Sequence, residues 1–200
     1  MPEAEQRELV LETKESIEAC TGLPLKAIST RLFGTDATTC RIADELGIPY
    51  VLARGTTGAR ATVYKPAEHD VKVISISNME TSGWAGGSLS DWSIWSRGGN
   101  PADFRAQLQN ARRHDRITPV THARIGGLKK AWMTVFREQV LDNTHVHFSS
   151  LDEFAATTDA TLPLAKIPEN RANPYGPFEE IERVPVDLQV PESRQDAEAL

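Results

Sequence analysis

A chain of 200 residues, 40% of them hydrophobic, can bury one sizeable core but falls short of a typical pair of independent domains. Its 22 basic residues stand against 28 acidic ones, for a formal net charge of -6, and the basic residues are scattered rather than gathered into a stripe; nucleic acid is therefore not expected as a partner. No apolar run approaches the roughly 20 residues a membrane helix needs. The polar start Met1 to Glu8 lacks the basic-then-apolar order of a signal peptide, so a cytoplasmic protein without a membrane partner is expected.

In chain order, Leu9, Val10, Thr13, Ile17 and Cys20 recur at helical spacing between Glu3 and Cys20, and Gly22 with Pro24 supplies the stop. Lys26 to Ser29 reads as a short strand. Thr35 or Asp36 then caps a helix whose inner face is Ala37, Cys40, Ile42, Ala43 and Leu46; Gly47 ends it and Tyr50 to Ala53 is the next strand. Val71 to Ser77 is apolar on both phases, as in a strand covered on two sides.

The segment Glu80 to Gly99, rich in Gly, Ser and Trp, is too long for an ordinary connection and is a candidate functional loop. Asn100 caps a helix with Pro101 at its first position and Asp103 in its first turn. A strand at Ile117 to Thr121 follows. Gly126 and Gly127 lead into a helix from Leu128 to Leu141 whose buried side is Leu128, Trp132, Val135, Phe136 and Val140. His145 to Ser149 reads as a strand and Leu151 to Ala156 as a short helix.

Composition divides the chain into an α/β domain over 1–160 and a Pro-rich, acidic extension over 161–200, whose last ten residues have the make-up of a solvated tail. The two cysteines, Cys20 and Cys40, each fall on the apolar side of a helix and behave as small hydrophobes rather than as a disulfide or a zinc knuckle.

Repeated strand-helix alternation implies parallel strands in an open sheet or a barrel, with chemistry at the carboxyl ends of the strands. Those ends carry Arg31, Arg54, Asn78, His122 and Ser149. His122 is the best single candidate, an imidazole at a strand mouth suited to general acid or base work; the plain alternative is a structural histidine bonded to a neighbouring loop. Asp91 with Trp92, Trp84 and Trp95 combines a carboxylate with flat apolar surfaces that stack on sugars or wall a pocket, or that simply pin the loop. Arg31, Arg54 and Arg60 could clamp carboxylates, with surface ion pairs as the alternative for the last two. On a strand His145 and His147 would point the same way, as two metal ligands must, but no third ligand accompanies them.

Three stretches, in order, resemble the later part of a polysaccharide deacetylase with a NodB-homology domain, the carbohydrate esterase family 4 proteins. Arg31-Leu32-Phe33-Gly34, followed by Glu45-Leu46-Gly47-Ile48-Pro49-Tyr50, resembles that family's third motif and the passage after it; Ser90-Asp91-Trp92 resembles the fourth, and Val120-Thr121-His122 the fifth. The resemblance runs from about Met1 to Phe154. It implies an incomplete, distorted (β/α) barrel in which Arg31 orients a catalytic aspartate, Asp91 tunes the catalytic histidine His122, and Trp92, with Trp84 and Trp95, lines a sugar pocket.

The family's Asp-Asp motif and His-x-x-x-His motif do not occur here. No metal ligand is therefore assigned in this chain, and the zinc or cobalt of a complete family member would have to come with a complementing chain. The expected function is hydrolysis of N-acetyl groups on an amino-sugar polysaccharide or oligosaccharide once that segment is supplied. The alternatives are a non-catalytic relic that binds carbohydrate and a fragment of a longer gene. An unpaired sheet edge would favour self-association.

Overall fold

Val51 and Val73 pair within a sheet, and Val73 lies in the run whose two apolar phases predict cover on both faces. The computed structural model describes residues 1–54, 58–66, 68–157 and 161–164. Within these, helix α1 (Glu3–Thr21) leads to strand β1 (Ala27–Ser29), and α2 (Ala37–Glu45) leads to β2 (Tyr50–Ala53). Strands β3 (Val63–Pro66) and β4 (Lys72–Ser75) follow, then helices α3 (Asp91–Trp95), α4 (Pro101–Ala111), α5 (Lys130–Phe136) and α6 (Leu151–Thr157), and last β5 (Thr161–Leu164). The sheet has five strands in the order β1-β2-β4-β3-β5. β1, β2 and β4 run parallel, β3 lies antiparallel to β4, and β5 runs parallel to β3. It is an open, mostly parallel sheet; among the described residues no pairing closes it into a barrel.

Alternation along the strands feeds two apolar layers. Val51, Ala53 and Val73 pack with Ala37, Cys40 and Ala43 of α2 on one face. Tyr50 and Ile74 pack with Ala155 of α6 on the other, which is why Val71 to Ser77 is apolar in both phases. A third cluster, beyond the sheet, joins Leu89 and Ile94 to Phe104 and Leu108 of α4 and Trp132 and Val135 of α5. α4 begins as its sequence dictates: Asn100 Oδ1 accepts from the amides of Ala102 and Asp103, and the Asp103 carboxylate accepts from the Asn100 amide, a reciprocal capping box.

Several expectations are corrected. Ile117 to Thr121 is extended but makes only one isolated bridge, Val120 with Ser90. Pro119 has no amide to donate, and the Thr118 amide donates to the Ser77 hydroxyl (2.9 Å) instead of to a backbone carbonyl. His145 to Ser149 forms no strand; it starts in a turn and lies largely exposed. The helix expected from Leu128 to Leu141 is α-helical only over α5, between wider π turns at Ala123–Gly127 and Arg137–Leu141, and Leu128 is 80% exposed rather than buried. β3 was not anticipated, being short and closed by Pro66.

Cys40 is buried but Cys20 is exposed, because α1 rests on α2 through polar pairs such as Arg41 with Glu3 and fully buries none of its own residues. Residues 161–164, at the start of the expected extension, pair with β3; 165–200 lie outside the described residues. Among the described residues, no helix is long and apolar enough to cross a membrane.

The Tyr50 hydroxyl donates to Asp152 (2.6 Å) and so ties β2 to α6. Burial first, and then the bond to Asp152 and its charge, push the phenol up to about 12. Asp152 is held below the ordinary carboxylate range by that same hydroxyl, assisted by Lys26. A phenol raised in the folded state contributes stability that is complete below its unfolded value of about 10 and is lost as pH rises towards its folded value; a carboxyl lowered in the folded state contributes above about 4 and loses it as pH falls. The stability advantage of the native chain over Tyr50→Phe, read from urea denaturation, should therefore be flat between those limits and decline on both sides. The tyrosine step missing from the variant's ultraviolet titration should be the late one.

Candidate active site

Asp91 is the first residue of α3, and its carboxylate has no exposed surface. Ser90 caps the helix, its hydroxyl accepting from the Ser93 amide (3.0 Å). Capping fixes the first turn and aims the Asp91 side chain at the segment after Val120. There the carboxylate accepts from the Thr121 hydroxyl (2.8 Å), the His122 amide (3.0 Å), the Gly126 amide (3.0 Å) and His122 Nδ1 (2.7 Å), as well as from the Trp92 amide (2.6 Å). Three of these five groups are amides that can only donate to it, so the imidazole is read in the same sense, with its proton on Nδ1 and its Nε2 left to the open side. The His122 side chain is 37% exposed. A buried acid thus holds the tautomer and direction of an accessible base, the arrangement a proton-transferring histidine requires.

Trp92 stands beside the imidazole, with ring centroids 6.0 Å apart, and Trp95 continues the wall at 5.3 Å from Trp92. Arg124 lies over the Trp92 ring (4.8 Å) and Lys129 over Trp95 (5.2 Å). Trp84 has a different task. It packs on the third apolar cluster, its carbonyl accepts from Arg97 (3.3 Å), and its indole fills the space where a side chain on Gly99 would sit. It pins the 80–99 segment.

Arg31 is not brought to Asp91. It lies exposed in a 3-10 turn, Arg31–Phe33, after edge strand β1, and none of the five donors to Asp91 is an arginine. Leu32 and Phe33 both take positive φ (55° and 60°), a backbone state that L residues avoid, so the chain turns sharply just past Arg31. Arg31 instead lines a cleft of about 570 Å³ between α1 and β1, which includes Leu9, Val10 and Ile28 and neither Asp91 nor His122. Arg54 reaches the Gly86 carbonyl, and Arg60 pairs with Asp115 (2.8 Å) on the surface. His145 and His147, off any strand, present no metal pair. Among the described residues no group of three His, Cys, Asp or Glu side chains could hold a metal ion, so the metal that the resemblance implies does not fit this set of donors.

Thr121 and Gly126 escaped the sequence reading as ligands of Asp91. The signal for Gly126 was the diglycine four residues after His122: a side chain there would collide with Thr121 Oγ1 and come within 2.8 Å of an Asp91 oxygen. Compared with known proteins, the chain matches no family model, and no curated protein matches it.

Gly126→Ala should lower stability by about 1–3 kcal/mol through that overpacking. Asp91→Ala should cost on the order of 3 kcal/mol by orphaning several donors at once. Both are measurable by denaturant unfolding, and a neutral Asp91→Ala would show that the carboxylate does not organise the segment. Zinc or cobalt titrated by calorimetry should bind no more tightly than to exposed histidines generally; a stoichiometric tight site would overturn this expectation, which rests on the described residues.

Proposed function

We propose that this chain supplies the proton-transferring and substrate-lining half of a polysaccharide deacetylase-like hydrolase acting on N-acetyl groups of an amino-sugar polymer. The observation that carries the reading is the fully buried Asp91 bonded to Nδ1 of a half-exposed His122 with Trp92 alongside. In the order Ser90-Asp91-Trp92 then Val120-Thr121-His122, these are the residues to which the resemblance assigns such roles. The barrel it implies, in distorted and incomplete form, belongs to the same proposal.

In the reaction, water adds to the acetamide carbonyl and gives up a proton to His122 Nε2, which passes it to the departing nitrogen as the carbon-nitrogen bond breaks; the proton left on the new carboxyl goes to the amine, giving acetate and an ammonium group. Asp91 keeps the ring aligned throughout. Activation of the water is the task of a divalent metal in a complete family member. The described residues offer no site for one, so a complementing chain carrying it is the partner this reading requires. The same lack of ligands favours a second reading, a non-catalytic carbohydrate-binding subunit.

Acetate release from chito-oligosaccharide, assayed with and without a separately expressed metal-bearing segment of such a deacetylase, separates the two. If the chain is half of an enzyme, the mixture should release acetate and His122→Ala should lower the rate roughly 100-fold or more. If it is a binding subunit, no mixture should be active, while Trp92→Ala should weaken saccharide binding and His122→Ala should not. Activity that survives His122→Ala would end the catalytic role.

A further inference from the structure

The wall beside His122 carries two exposed cations, Arg124 and Lys129. Several cations elsewhere sit on acids: Arg60 on Asp115, Lys65 on Asp70, Arg105 on Glu138, Arg137 on Asp142. Arg124 and Lys129 form no ion pair among the described residues, although acidic residues outnumber basic ones, 28 to 22. They lie on indole rings instead. Asp91, behind the wall, is buried and engaged by its own donors. Trp92 and Trp95 each hold an exposed cation against an indole ring. A guanidinium restrained by an aromatic ring keeps its N–H fork available for bidentate contact with a carboxylate.

We infer that Arg124 and Lys129 form an anion-recognising subsite that selects an acidic glycan, one with carboxylate-bearing sugars next to the N-acetylated residue at His122. The inference names the substrate class within the function proposed above and rests on that reading for the position of the N-acetyl group. A single-stranded nucleic acid also seeks cations and rings, but it is held by many phosphate contacts along a basic groove. Two cations on a chain of net charge -6 fit a short acidic saccharide better.

Calorimetric titration of the full chain with three probes of equal length tests this: a hexasaccharide of alternating glucuronate and N-acetylglucosamine, chitohexaose, and a hexathymidylate. At low salt the acidic hexasaccharide should bind about tenfold or more tightly than chitohexaose, an advantage that salt erodes. The double variant Arg124→Gln/Lys129→Gln, checked for an unchanged near-ultraviolet circular dichroism spectrum, should bring the two sugars to parity. Equal affinity of the two sugars for the native chain, an advantage that outlasts the double variant, tighter binding of the hexathymidylate, or no binding of any probe would each overturn the subsite. Because the readout is binding, an acidic preference without acetate release in the complementation assay would remove the hydrolase reading and leave this one standing.

Discussion

A carboxylate without exposed surface has to be surrounded by donors, since an ionised group left bare in an apolar interior costs several kcal/mol. Asp91 meets that demand by gathering the amides of Trp92, His122 and Gly126, the hydroxyl of Thr121 and the ring of His122. The segment from Val120 to Gly126 has little ladder bonding of its own. It is held chiefly by what it gives to Asp91, together with the Val120 amide bonded to the Leu89 carbonyl (3.0 Å). The direction of His122, the wide turn that follows it and the placing of Arg124 over Trp92 all descend from one buried side chain.

Around that anchor the molecule divides its labour. The sheet, with α2 and α6 on opposite faces, is a packed scaffold whose central residues are almost wholly apolar. The cluster built from Leu89 and helices α3, α4 and α5 lies beyond the strands and carries the site on its rim. Small residues allow the close approach: Ser90 caps α3, and Gly126 brings its backbone against the carboxylate. The position agrees with the general tendency of parallel sheets to carry chemistry past their strand ends. Here, however, the histidine comes from a segment joined to Ser77, just past β4, by the Thr118 amide on the Ser77 hydroxyl and the Ser77 amide on the Thr118 carbonyl, rather than from a regular strand.

A cleft lies elsewhere, between α1 and β1, lined by Leu9, Val10 and Ile28 together with Gln6, Arg31 and Asp36. α1 packs on α2 through Gln6 to Thr39 and Arg41 to Glu3, and leaves Leu9 and Ile17 partly exposed along that cleft. Arg31 belongs to this side of the molecule. Of the residues the resemblance groups into one machinery, the fold gathers Asp91, His122 and Trp92 and leaves Arg31 with the cleft. The separation follows from strand order, because β1 is at the edge and β2 stands between it and β4.

Much of this was legible in local pattern. Tyr50 to Ala53 and Val71 to Ser77 announced central strands by apolar content, Asp36 and Asn100 announced helix starts by their capping chemistry, and the helices α2 and α4 lie where periodicity put them. These features depend on neighbours a few residues apart, so the chain alone determines them. The candidates Asp91 and His122 were also legible singly, as a carboxylate in a long loop and an imidazole after an apolar run. That they meet, across 31 positions of sequence, was implied by the resemblance and not by any local pattern. Nor was the fate of the cations: charge and type are the same for Arg60 as for Arg124, and only the fold sets one beside Asp115 and the other over an indole. Which side chains meet across the chain depends on how the helices stack past the sheet, a long-range packing outcome that no run of neighbouring residues encodes.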